Sequence, residues 1–351
     1  MTTSAGRATL KQVAERAGVS LATASRAING SGTRQVNPEL AEKVLQAAAE
    51  LDYVVNVQAQ AMARGRTNVL GLVVADIVDP YFATIASGVI AEASASSCLV
   101  NLAITDRSPE REQEFLRMFG AQQVRGVVLA GSRAIDASLN EALIEQVQAV
   151  EASGGRVVSL GQSMLGGDAV VIANREGAAD LAAALLNLGH RRFGILAGPE
   201  HLHTPVDRTQ GFVDTVVAAG APAPVVVHSA FSRDGGSSAM ETLLAEHGPG
   251  SATSDPVTCV FAAADALAVG ALTACREAGV GVPDQISLAG FDDVPTLRDI
   301  HPHLSTVALP MFEAGRAAAA LALQPSTGAP RTVPITGRVV LRQSTRTLVR
   351  D

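Results

Sequence analysis

Cysteines and long apolar runs are scarce in this chain, and each scarcity excludes something. The three cysteines, Cys98, Cys259 and Cys275, lie far apart with no Cys-x-x-Cys spacing. Neither a zinc site nor a disulfide framework is indicated, and reduced, buried thiols are expected. The apolar runs fall short of the roughly 20 residues that cross a bilayer, and the opening MTTSAGRATLKQ carries no apolar core of a secretory signal. A cytoplasmic protein with no membrane partner is therefore expected. Also absent are a Walker loop, HExxH, GxSxG and a GxGxxG after a strand, so neither enzyme activity nor a cofactor is expected. The pairs His201/His203 and His301/His303 sit beside loop prolines, without carboxylates at ligand spacing. A structural or solvent role is favoured for them over a metal site.

Lysine occurs only twice, as Lys11 and Lys43, both within the first 67 residues. That segment holds eight basic and five acidic residues, against 19 basic and 29 acidic in the remainder. A small basic head on a large acidic body points to an anionic partner for the head alone. The length of 351 residues is too great for one core, and a composition 47% hydrophobic and 17% charged supports two or three folded domains.

The head reads as three short helices. Thr9 and Gln12 fit a capping box, Leu10, Val13, Ala14 and Ala17 follow at helical spacing, and Gly18 stops the first helix. Ser20 caps a second helix after a two-residue turn. Asn37-Pro38 opens a third, with Leu40, Val44, Ala47, Ala48 and Leu51 on one face. Two helices around a tight glycine turn, crossed by a third, describe a helix-turn-helix. On the second helix Ala24, Ala27 and Ile28 form an inner stripe, while Ala22, Ser25, Arg26 and Asn29 form a small polar outer face suited to the major groove. Arg26 has the chemistry to read guanine, and Leu21 and Ala22 to touch thymine methyls. Thr23, Ser25 and Asn29 would contact phosphates, with Thr9 and Ser20 completing the DNA-facing set. The pattern alone leaves an ordinary solvated helix as the alternative.

The run TLKQVAERAGVSLATASRAING followed by VNPELAEKVLQAAAELDY resembles the head of the LacI/GalR family of bacterial transcription regulators, most specifically in A-G-V-S-x-x-T-x-S-R-x-x-N at Ala17–Asn29. The resemblance implies that Leu21, Ala22 and Arg26 read bases. It also implies a hinge helix after the head, within Asn56 to Ala63, that folds when two copies pair in the minor groove. Met62 stands where the family wedges a leucine between base pairs, with Asn56, Ala59 and Arg64 as further contacts. The family's tyrosine-x-proline-asparagine approach is Tyr53-Val54-Val55-Asn56 here, so the proline is missing.

From Val69 onward short apolar strands alternate with helical patterns. Val69–Ala75, Leu99–Ile104, Gly126–Leu129 and Arg156–Leu160 form one series. Ala169–Ala173, Phe193–Ala197, Val225–His228, Val257–Phe261 and Ile286–Gly290 form a second. Such βαβ alternation predicts an α/β body of two parallel-sheeted lobes with a ligand cleft at the carboxyl ends of the strands. The expected domains are a head at 1–55, a hinge at 56–67 and a body at 68–351. Within the body, an N-lobe takes about 68–165 and 295–325, and a C-lobe about 166–294 and 326–346.

Near strand ends lie Tyr81, Phe82, Ser132, Gln162, Arg208, Phe231, Asp265 and Asp292. A cation, carboxylates and aromatic faces suit a small polyhydroxy ligand; alternatively, Arg208 and Asp292 simply pair across the cleft. The body also resembles the family across its length, in GLVVADIVDPYF, LGHRRFGILAGP, FAAADALAVGAL and VPDQISLAGFDD, and so implies a periplasmic-binding-protein-like fold. By that resemblance Arg208 and Asp292 are effector ligands, Phe82 and Phe231 are walls, and Tyr81 and Ser132 are secondary ligands. Ala264-Asp265 departs from the Asn-Asp of many sugar-responsive members. Leu202 and Gly161 replace polar ligands of purine-responsive ones, with Gln162 partly restoring polarity. The expectation is a homodimeric repressor of pseudo-palindromic operator DNA, controlled by a sugar. The alternative is a transport-type solute-binding protein with the same body.

Overall fold

The structure, a computed structural model, describes residues 8–29, 36–53, 66–325 and 328–348, without the side chain of Asn29. The chain divides into two compact units, 1–67 and 68–351. The predicted hinge contacts Asn56, Ala59, Met62 and Arg64 lie outside the described residues.

In the first unit, α1 (Leu10–Ala17), α2 (Leu21–Asn29) and α3 (Pro38–Glu50) are each set by local chemistry. Gln12 N donates to Thr9 Oγ1 at 3.3 Å and Thr9 N to Gln12 Oε1 at 2.8 Å, closing the capping box. Gly18 takes φ 66°, a left-handed value that a glycine adopts at little cost, and so turns the chain into α2. Ser20 Oγ accepts from Thr23 N, and Asn37 Oδ1 from Glu39 N. Val13, Ala14, Ala24, Val44 and Ala47 are buried where the three helices meet. The Arg16–Glu50 ion pair, at 2.7 Å, ties the end of α1 to the end of α3.

The second unit contains two parallel sheets. The first has the order β11-β5-β4-β3-β1-β2, from β1 (Val69–Val74), β2 (Leu99–Ile104), β3 (Gly126–Ala130), β4 (Val157–Gly161), β5 (Asp168–Ile172) and β11 (Thr332–Ile335). The second has the order β7-β6-β8-β9, from β6 (Phe193–Ala197), β7 (Val225–His228), β8 (Cys259–Ala262) and β9 (Ser287–Ala289). An antiparallel pair, β10 (Thr306–Ala308) and β12 (Arg338–Val340), lies beside β9. Among the described residues, α4 (Pro80–Ala95) and α11 (Met311–Leu323) cover one face of the first sheet, and α5 (Pro109–Ala121) and α6 (Ala137–Ala152) the other. Around the second sheet, α7 (Asn174–Asn187) packs on α8 (His203–Ala218), and α9 (Arg233–His247) on α10 (Asp265–Glu277).

Two lobe boundaries differ from the sequence expectation. The strand expected to open the second series, β5, is instead the fifth strand of the first sheet, parallel to β4 with Val158 beside Asp168. The return between them, 162–167, contains no helix. Its six residues, extended at about 3.3 Å each, are long enough to run back along a five-residue strand, so a βαβ pattern search passes over the crossover. Thr332–Ile335, expected in the C-lobe, adds to β5 as the edge of the same sheet. Asp168 is the reason the edge closes there. Its carboxylate accepts from Arg156, from the Arg331 side chain and from Arg331 N. Burial would raise the Asp168 pKa, but these donors outweigh it and hold it below the ordinary carboxylate value.

Helix pairs meet at glycines. A Cβ on Gly88 of α4 would strike the Phe312 carbonyl of α11, and one on Gly315 of α11 would strike the Ile85 carbonyl of α4. Backbone therefore touches backbone at this crossing, with no side chain between.

Candidate functional site

In the first unit, the outer side of α2 is open. Leu21 is 53% exposed, Ala22 is exposed, and Thr23, Ser25 and Arg26 are half-buried. Three predicted contacts already use their hydroxyls locally: Thr9 in its capping box, and Ser20 and Thr23 in a 2.8 Å bond to each other. They hold the frame of the helix-turn-helix, and any DNA contact by them adds to that role.

In the second unit, a cleft of about 1060 Å³, its mouth included, opens at the carboxyl ends of both sheets. Of the eight sequence-predicted ligands, six line it: Tyr81, Phe82, Ser132, Arg208, Phe231 and Asp292. Arg208, on α8, is 2% exposed and its guanidinium is held from several sides. Nε donates to Asn174 Oδ1 at 2.8 Å, Nη1 donates to the Ala263 carbonyl at 2.8 Å, and the Phe291 ring lies 3.9 Å from its carbon. Nη2 stands 2.9 Å from Asp292 Oδ1, too poorly aligned for a hydrogen bond, so this buried oxygen keeps an unfilled acceptor site. The pair belongs to one lobe and does not span the cleft. Asp292 has φ 120°, a strained value held by Asp292 N donating to Val307 O and Leu309 N donating to Asp292 O.

Asp265 and Gln162 are the two predicted ligands that do not line the cleft. Asp265 is fully buried at the start of α10, where it accepts from Val294 N at 3.0 Å and from the Thr306 hydroxyl at 2.8 Å. Burial, and next to it the charge of Asp292, raise its carboxyl well above the ordinary range. A strand end fixes where a residue stands but not which way it turns, and this one turns inward to fasten the loop carrying Asp292. Gln162 is spent on a different task, accepting from Arg133 N at 3.0 Å and donating to Thr204 Oγ1 at 2.9 Å. It thereby joins the first lobe to α8. Beside it Ala134 bridges Leu202, Ile135 N donates to His201 O, His203 N donates to Arg133 O, and Thr204 N donates to Ser132 Oγ. A second crossing link runs from Arg107 Nη2 to the Phe231 carbonyl at 3.1 Å.

Comparison with known proteins identifies this pairing of a helix-turn-helix with a two-lobed body. Residues 9–56 match the model of bacterial regulatory proteins of the lacI family, and 182–345 that of a periplasmic binding protein-like domain. The transcriptional regulator CelR of Thermobifida fusca is 33% identical over 98% of both chains. The transcriptional repressor CytR of Escherichia coli K12 is 31% identical, covering 92% of this chain and 90% of its own. A solved CelR–cellobiose complex is 30% identical, with TM-score 0.68, covering 96% of this chain and all of that one. This chain belongs to the lacI family.

The lacI-family protein is thus a helix-turn-helix transcription regulator. The transport-type alternative is not favoured, because the likeness to regulators runs through head and body alike. Sequence reasoning missed several cleft residues of this regulator, notably Arg133 and Glu112. Arg133, 4% exposed, donates from Nη1 and Nη2 to Glu112 at 2.9 and 2.7 Å. The two are 21 positions apart, and the available signals were weak ones: Arg133 directly follows Ser132, and Glu112 lies in the first turn of α5.

Proposed function

We propose that this regulator binds a pseudo-palindromic operator as a homodimer in the cytoplasm, at the nucleoid, represses transcription there, and is controlled by a sugar held in the cleft. The observation that carries the effector reading is the buried Arg208–Asp292 pair, with its unfilled acceptor, beside Tyr81, Phe82 and Phe231. A guanidinium and a carboxylate suit adjacent hydroxyls, and rings suit the apolar faces of a sugar. The cellobiose held by CelR and the repressor role of CytR support the same reading. Two copies would meet through the first lobe. There the edge strand β2 exposes Leu99 and Leu102, and α4 exposes Ile90, an apolar surface at an unpaired sheet edge. In the head, Leu21, Ala22 and Arg26 would read bases while Thr9, Ser20, Thr23, Ser25 and Asn29 fix register. The hinge contacts Asn56, Ala59, Met62 and Arg64 would enter the minor groove. Effector binding would shift the lobes and so the hinges, a coupling of about 1–3 kcal/mol sufficing for regulation.

Arg26→Ala tests the recognition helix. Loss of one bidentate base contact costs about 1–3 kcal/mol of discrimination. Operator binding should therefore fall towards the level of random DNA in a mobility-shift titration, with sugar affinity unchanged. Undiminished operator selectivity would refute the assignment.

The cleft also predicts a pH dependence. Burial raises the Asp292 carboxyl, Arg208 opposes, and the neighbouring Asp79 adds to the rise, leaving it at about 6. The ionised carboxylate accepts ligand hydroxyls more strongly than the neutral acid. Sugar affinity should thus be full above that value and fall as pH drops through it. Isothermal titration from pH 8 to pH 5 reads the profile, and Asp292→Asn should flatten it.

A further inference from the structure

One helix runs from the cleft to the point where the chain enters the body. The segment that leads into α11 is bonded to Asp292: Asp292 N donates to Val307 O at 2.9 Å, Asp292 bridges Ala308, and Leu309 N donates to Asp292 O at 3.2 Å. After 13 residues α11 ends at Leu323, about 20 Å away at ~1.5 Å per residue. There Arg125, the residue before β3, donates from Nη2 to the Leu323 carbonyl at 3.1 Å and from Nη1 to Asn68 Oδ1 at 3.4 Å. Asn68 is the first residue of the second unit, reached directly from the head.

The connection has little slack. A Cβ on Gly126 would lie 2.6 Å from the Ala322 carbonyl, so the last turn of α11 sits on the backbone of β3. Midway, the glycine crossing seats α11 on the backbone of α4. Asn68 is tied on its other side as well, where its Nδ2 donates to Ser97 O and its carbonyl accepts from Leu99 N at 3.1 Å. It is thereby fastened to the edge strand β2. Close-packed elements of this kind shift as units and do not deform continuously.

We propose that Arg125 is a positioning residue for the effector response. It couples the end of α11 to Asn68, so that a shift of α11 begun at Asp292 reaches the root of the hinge. This rests on the reading of Arg208–Asp292 as the effector site and extends it. The last carbonyls of a helix have no partner within the helix. A guanidinium holds its donors in a fixed planar fork, so Arg125 sets the position of the Leu323 carbonyl relative to Asn68. Arg125 does not line the cleft, and its effect on the response therefore runs through these two partners. A merely structural Arg125 would change stability and leave the response intact.

The test uses the full-length protein, an operator selected from random-sequence DNA by the wild-type chain, and glucose, galactose, ribose and cellobiose as probes. In Arg125→Met, operator affinity without sugar and sugar affinity without DNA should each stay within about twofold. The factor by which sugar changes operator affinity should fall about threefold or more. Asn68→Ala should do the same, and the double variant should lose no more than either alone, as coupled partners do. Asn68→Ala serves if Arg125→Met fails to fold. A second arm needs no ligand. Asp292→Gly frees the strained backbone at the cleft end, and amide exchange at residues 97–101 should quicken about threefold or more. With Arg125→Met added, that change should vanish while the change at β10 remains. A full sugar response in both variants, a parallel loss of sugar-free operator binding, or exchange at 97–101 indifferent to Asp292→Gly would overturn the role of Arg125 alone. If none of the sugars alters operator binding, the sugar reading falls and the exchange arm decides the role of Arg125 by itself.

Discussion

Arg208→Met should abolish the effector response and destabilise the body by about 3–5 kcal/mol, the usual cost of removing one partner from a buried ion pair. Methionine fills a similar volume but restores none of what the guanidinium holds. Asn174 Oδ1 and the Ala263 carbonyl lose their donors, and Asp292 loses its counter-charge, all within a region almost closed to water. The loss should itself depend on pH. In the variant, Asp292 loses the influence that pulls its pKa down, so it holds its proton to higher pH, and ionising it in the fold becomes more costly. The destabilisation should therefore be smaller near pH 5 than near pH 8. Urea unfolding at the two values measures it; an equal loss at both would mean that Asp292 has found another partner.

The crossing of α4 and α11 should be nearly as sensitive. Gly315→Val places its Cβ against the Ile85 carbonyl, with Val89 N 3.2 Å away. Neither is the end of a flexible side chain, so the helices must part. Overpacking of this kind costs about 1–3 kcal/mol where side chains can yield, and more is expected where backbone faces backbone. Because α4 begins with Tyr81 and Phe82, sugar affinity should fall along with the denaturation midpoint. Retention of both would show that α11 can shift without loss.

What could be read in advance was what is local. The capping box of Thr9 and Gln12, the turn at Gly18 and the cap at Asn37 each act within four residues, so the head was legible helix by helix. Strands bounded by apolar runs, such as Phe193–Ala197 and Leu99–Ile104, were legible for the same reason. What escaped depends on partners distant in sequence. The membership of β5 and β11 in the first sheet is decided by Asp168 meeting Arg331 across 163 positions. At the cleft, position was legible and direction was not. Asp292 and Arg208 line it as the strand-end rule suggests, but Asp265 turns inward to Val294 N and Thr306, and Gln162 bonds to Arg133 N and Thr204. The Arg133–Glu112 pair went unseen because neither residue is informative without the other.

The interrupted first lobe bears on how the protein is made. Its sheet is laid down as far as β5 by residue 172, yet α11 and β11 arrive only with residues 311–335, after every strand of the second sheet. During synthesis, α4 waits with its glycine face uncovered, and β5 waits as an open edge, while some 140 residues leave the ribosome. At ~5–20 residues per second that interval lasts roughly seven to thirty seconds. An exposed helix face and an unpaired strand are the surfaces on which nascent chains associate. The period before α11 emerges is thus when the first lobe's association-prone surfaces stand open, and truncation anywhere short of residue 335 leaves the first lobe open as well as the second lobe shortened.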